Sequence, residues 1–157
     1  MSLPDKEIPD LAIRWANGDR EAAAFLENIW HSARLADNIV DGDSPDTARD
    51  MFNLLNRAFV TNANNPFFVR HQETLSVAII TALSMWLKSE QWRHEENKKT
   101  RMFAFVYREG IDHVAAVVGA LTGGATHASQ VMEEMYKISH ESDPESFEEW
   151  DAERFEK

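Results

Sequence analysis

The sequence predicts an all-α fold: a single-domain helical bundle of five or six helices over residues 1–140, followed by an acidic, aromatic tail at 141–157. Three observations carry this. Apolar residues recur at three- and four-residue steps, and no stretch holds the two-residue alternation of a strand. Helix punctuation separates these runs, with Asp, Asn or Ser ahead of them and Gly behind. Finally, 157 residues with 43% hydrophobic content, nine Phe and five Trp suffice to bury about two-thirds of the unfolded surface without covalent staples.

The elements follow in order. A short helix near 11–16 ends at Asn17-Gly18. Asp19 then caps a long helix to about Val40, with the apolar stripe Ala22, Leu26, Ile29, Ala33, Ala36 and Val40, and Gly42 with Asp43 stops it. Ser44-Pro45 reads as a cap with a first-turn proline for a third helix carrying Met51, Leu54, Leu55 and Phe59, which ends in the Asn-rich turn 61–65. Asn65-Pro66 repeats the signal and opens a helix to about Glu90. From Leu75 to Leu87 that helix is apolar nearly all round, which predicts a central position. The charged stretch 93–101 precedes a second apolar helix, 102–121, which Gly123-Gly124 terminates before a further helix at 126–138. Asp143-Pro144 opens the tail, where Phe147, Trp150 and Phe155 are spaced to dock a short helix back onto the body.

Composition narrows the function. The chain has no cysteine, which excludes disulfides and thiolate metal sites and fits a reducing compartment. Its first residues lack an apolar signal region, and the stretch 111–124 is shorter than the roughly 20 residues a bilayer span needs, so a cytoplasmic location without a membrane span is expected. The net charge is −11, and eight of the 27 acids but only two of the 16 bases lie in 141–157. Such a field repels phosphate backbones, so no direct nucleic-acid binding is expected, while occupation of a basic protein partner stays open.

One stretch carries chemistry. Asp37 and Asp41 lie one turn apart on the second helix and share a face. At 100° per residue, Glu27, His31, Arg34, Asn38 and Asp41 form a polar stripe, with Asp37 between it and the apolar one. Two carboxylates so spaced can hold Mg²⁺ through oxygen and leave water positions for a phosphate-bearing ligand. Arg34, one turn from Asp37 and Asn38, either reaches a phosphate or neutralises Asp37. A second cluster, Glu109, Asp112 and His113, sits in the apolar 102–121 helix, where helical angle puts Asp112 nearly opposite the apolar stripe, towards solvent. His31 with Glu27 and His113 with Glu109 are both four apart, a spacing that metal-binding helices use.

The residues 29–42, Ile-Trp-His-Ser-Ala-Arg-Leu-Ala-Asp-Asn-Ile-Val-Asp-Gly, resemble the first aspartate-rich motif of squalene and phytoene synthases, through Arg34, Ala36, Asp37, Ile39, Val40 and Asp41. The resemblance implies an all-α class I isoprenoid synthase relative, with Asp37 and Asp41 as Mg²⁺ ligands that grip a prenyl diphosphate and Arg34 in support. It covers 14 residues of 157, and no second Asp-x-x-x-Asp follows downstream. Glu109-x-x-Asp112 is similar to the second half-motif of MazG-type all-α nucleoside triphosphate pyrophosphohydrolases; Glu95-Glu96 begins the first half, but Lys99 stands where its last acid belongs.

Two function classes follow. In the first, Asp37 and Asp41, completed by Glu109, Asp112 or His113 from a facing helix, bind Mg²⁺ and a diphosphate-bearing small molecule, a prenyl diphosphate or a nucleotide. In the second, the chain is a non-catalytic acidic helical module that engages a basic protein or itself through its aromatic tail. The first requires the two acid clusters to face one cavity.

Overall fold

The structure is a computed structural model that describes residues 6–141 and 145–153. Among these all regular structure is helical, in eight α-helices. They are α1 (Ile8–Trp15), α2 (Arg20–Asp41), α3 (Thr47–Asn56), α4 (Pro66–Arg70), α5 (Gln72–Trp92), α6 (Lys98–Tyr107), α7 (His113–Tyr136) and α8 (Phe147–Ala152). A π-helical turn, Arg57–Thr61, extends α3; a 3₁₀ turn, Gly110–Asp112, precedes α7; and a second π turn, Lys137–Glu141, follows it. No described helix is long and apolar enough to cross a membrane.

Local signals explain α2. The Asp19 carboxylate accepts hydrogen bonds from the Glu21 and Ala22 amides at 2.9 and 3.0 Å. At the far end Gly42 takes φ +80°, and the Asp43 and Ser44 amides turn back onto the Asn38 carbonyl. The third helix departs from expectation. It starts at Thr47, because Asp46 caps it by accepting from the Arg49 amide, while the Ser44 hydroxyl goes to the Asp50 carboxylate at 2.7 Å. Asn65 caps α4 as predicted, but the expected single helix breaks at His71 (φ −117°, ψ 23°) into α4 and α5.

The expected 102–121 helix is also broken. α6 begins earlier, at Lys98 behind the Asn97 cap, and the chain leaves α-geometry between Tyr107 and His113. The reason is close approach: a Cβ on Gly110 would stand 2.7 Å from Cβ of Met85 on α5. Gly124 (φ 78°, ψ −174°) then folds α7 into two arms. Gly119 on the first arm lets them close, since a Cβ there would sit 3.1 Å from Val131 on the second.

The core is concentrated at one end. Ile8, Leu11 and Trp15 from α1 meet Phe25, Leu26, Ile29 and Trp30 from the first half of α2, and Val114, Val118, Val131 and Met135 from α7 close over them. Trp15 and Trp30 meet edge-on at 5.3 Å, and Phe25 stacks on Phe68 at 5.8 Å. The Trp15 indole donates to Glu134, which also pairs with Arg14.

α5 is not central. It buries only Leu75, Ala82 and Ser89, a seam of period seven; the Ser89 hydroxyl donates to the Ala104 carbonyl of α6 at 2.8 Å. Val77, Ile80, Leu83 and Leu87 remain 64, 59, 48 and 50% exposed. α8 packs on α6, with a capping box between Ser146 and Glu149 and the buried Trp150 edge-on to Phe105 at 5.5 Å. Phe147 also meets Phe105, at 5.8 Å, whereas Asp143, Pro144 and Phe155 lie outside the described residues.

Candidate functional site

α2 changes character after Trp30. Its first half is core, while residues 31–39 are all partly exposed and form a wall between two cavities. The polar stripe read from helical angle therefore divides: Asp37 and Asp41 face one cavity, and His31, Arg34 and Asn38 face the other.

The acidic cavity has a volume of about 240 Å³. Asp37 and Asp41 form one wall, Trp86 and Glu90 of α5 a second, and Arg108 with Glu109 the turn beyond α6; Arg93, Glu145, Trp150 and Glu153 complete it. The Trp86 indole donates to Asp37 Oδ1 at 3.1 Å. Burial raises the Asp37 pKa above the ordinary carboxylate range, and the neighbouring charges of Glu109 and Asp41 add to the rise, against the Trp86 hydrogen bond. Both arginines of the lining are paired with acids. Arg93 donates to Glu153 at 2.6 Å and to the Trp150 carbonyl at 3.0 Å. Arg108 pairs with Glu145, approaches Glu109 at 3.4 Å, and lies 4.3 Å over the Phe105 ring.

Asp37, Asp41 and Glu109 are thus brought to one cavity, and the other three candidates are not. Arg34 lines the opposite cavity. Asp112 and His113 line a third, of about 160 Å³, which Glu109 borders from its other side. Asp112 is 3% exposed, not solvent-facing: its angle was read on a continuous helix, and the break at 108–112 turns it inward. It accepts a hydrogen bond from the Ser139 hydroxyl. Burial, reinforced by the Glu109 charge, pushes its pKa up to about 7. His113 Nδ1 faces the Gly110 carbonyl at 3.3 Å.

Trp86, Glu90 and Arg93 escaped the sequence reading, although they left a signal. They stand at i, i+4 and i+7, Trp86 and Glu90 on α5 and Arg93 at its C-cap, a polar-tipped stripe following the apolar run 75–87. Glu145 and Glu153 left none, because their role depends on where α8 docks. Among the described residues, no three His, Asp or Glu side chains converge closely enough to form a metal-binding group by themselves. Mg²⁺ does not require one; it commonly takes one or two carboxylates and keeps waters and phosphate oxygens for the remainder. The carboxylate oxygens of Asp37 and Asp41 are of the hard type it takes.

Compared with protein-family models, with curated proteins and with solved structures, the chain has no match.

Proposed function

We propose that this helical protein binds, or acts on, a diphosphate-bearing small molecule with Mg²⁺ in the acidic cavity. One observation carries the reading: Asp37 and Asp41 share a cavity with Glu109, about 70 residues away in sequence. Burial is the main cause of the rise in the Asp37 pKa and the nearby charges of Glu109 and Asp41 add to it, an environment in which a divalent cation would favour the ionised carboxylate. In this reading Asp37 and Asp41 hold the ion, Glu109 approaches from the opposite wall, and Arg93 and Arg108 present guanidinium edges to phosphate oxygens. When bound, Mg²⁺ neutralises the diphosphate and supports its departure or its attack by water. Either a prenyl diphosphate or a nucleotide suits that chemistry. Calorimetry of Mg²⁺ with inorganic pyrophosphate should show uptake by the native chain and at least about tenfold weaker uptake by Asp37→Asn, since one charged ligand is lost. Equal uptake by both proteins would sink the reading.

A second reading, a self-associating module, draws on α5. Its exposed face carries no charge from Thr74 to Leu87, and the Thr81 and Ser84 hydroxyls are spent on the Val77 and Ile80 carbonyls at 2.8 and 2.7 Å. Val77, Ile80, Leu83 and Leu87 on that face are each about half exposed or more, a contiguous apolar surface of the kind that marks an interface. Sedimentation velocity should therefore find a dimer that Ile80→Glu converts to monomer without loss of helicity. A native chain that sediments as a monomer at micromolar concentration would remove this reading.

A further inference from the structure

The cavity on the other side of α2 has the opposite electrostatic character. It is the larger of the two, about 420 Å³, within the range that small-molecule sites occupy. Arg34 of α2 and Arg57 of the π turn both line it, and among the described residues no carboxylate lines it. Two guanidinium groups lining one hollow suit an anion, above all phosphate oxygens, which a planar fork of N–H donors matches.

Arg57 is held in place rather than splayed into solvent. The buried Asn28, 5% exposed, accepts from the Arg57 guanidinium at 3.2 Å and donates to its carbonyl at 3.3 Å. The same carbonyl takes the Asn62 amide at 2.9 Å, the i to i+5 bond that defines the π turn. Such turns are rare and are found frequently at functional sites. Here it brings Arg57 and Thr61 to the cavity together. Between the arginines stand His31 and the amides of Asn38, Asn53 and Asn56. Burial and the Arg57 charge lower the His31 pKa, so the ring is neutral at pH 7 and offers one donor and one acceptor. Amides and a neutral imidazole add hydrogen-bonding capacity beyond what a bare anion would use.

We propose that this cavity binds a phosphate or diphosphate group carried by a nucleotide-sized polar molecule, with Arg34 and Arg57 gripping the phosphate and without a metal ion. The inference does not rest on the acidic cavity, which lies across α2, and the two are separable by experiment. Binding of inorganic pyrophosphate, a nucleoside diphosphate and the unphosphorylated nucleoside would be measured by calorimetry in EDTA, so that no Mg²⁺ contributes.

The nucleoside diphosphate should bind most tightly, pyrophosphate more weakly, and the nucleoside undetectably. Arg57→Gln should weaken the nucleoside diphosphate about tenfold or more, the scale of a lost charge-assisted hydrogen bond. Arg34→Gln, on the half-exposed side of α2, should do the same and guards against a folding defect in the Arg57 variant; circular dichroism checks both. The proposal is overturned if neither phosphate compound binds, if both arginine variants bind like the native chain, or if pyrophosphate binds as tightly as the nucleoside diphosphate.

Discussion

Arg101→Ala is expected to destabilise the protein by about 3–5 kcal/mol, the range for removing one member of a buried ion pair. Arg101 is only 6% exposed. Its guanidinium donates to the Asp151 carboxylate at 2.6 and 3.2 Å, and to the carbonyls of Glu95 and Glu96 at 2.9 and 2.7 Å. One side chain thereby ties the loop before α6 to α8. Truncation strips Asp151 of this partner at 16% side-chain exposure and removes the donors of two loop carbonyls. Arg101→Lys should recover little, because an ammonium does not reproduce the bidentate fork. Urea denaturation measures the loss, and limited proteolysis should find the α8 segment cut first. Trp150 and Glu153 line the acidic cavity, so the same variant should weaken Mg²⁺ and pyrophosphate binding if α8 completes that site. A variant as stable as the native chain would show that the pair contributes nothing net.

The second large effect is in pH. Asp112 has a pKa of 3.8 when unperturbed and about 7 when folded. An acid whose pKa rises on folding keeps its proton in the native state while the unfolded chain has released it. Its protonated form supports the fold fully below pH 3.8, and that support is lost progressively as the pH climbs from there through about 7. Three pH units at about 1.4 kcal/mol each set an upper scale of roughly 4 kcal/mol for the loss. Near neutral pH the charge of Glu109 adds to the cost of ionising Asp112 in its buried place. Asp112→Asn removes the titration and places an amide donor near Glu109. The variant should be more stable than the native chain at pH 7.5, and its stability should vary less between pH 4 and 7. Denaturation curves across that window provide the check, and parallel profiles for the two proteins would count against the argument.

Legibility followed the range of the interaction. Asp19, Gly42, Asn65 and Gly124 act within a few residues, and the ends they mark were readable from the chain. The break at 108–112 was not, because a contact with α5 imposes it: Gly110 lies where no Cβ fits against Met85. Everything read on the assumption of a continuous helix there, including the direction of Asp112, failed with it. α5 misled for the opposite reason, since uniform apolarity reports that a helix seeks cover and not which side receives it. In α2 the spacing correctly put Asp37 and Asp41 together, yet the separation of Asp37 from Arg34 depends on α3 and α5 flanking the helix. Arg57 was invisible because Asn28, its anchor, is 29 residues away.

The division of α2 at Trp30 has a thermodynamic consequence. The turns from Ala22 to Trp30 pack against α1, α4 and α7, so their amides are expected to be the slowest to open, which hydrogen exchange would check. The turns that carry His31, Arg34, Asp37, Asn38 and Asp41 lack that cover and belong to the low end of the opening free-energy scale. One unbroken hydrogen-bonded rod thus spans two cooperative regimes. An occupant on either side of the thin half shifts the same local equilibrium, and each would be felt by the other through the order of those three turns.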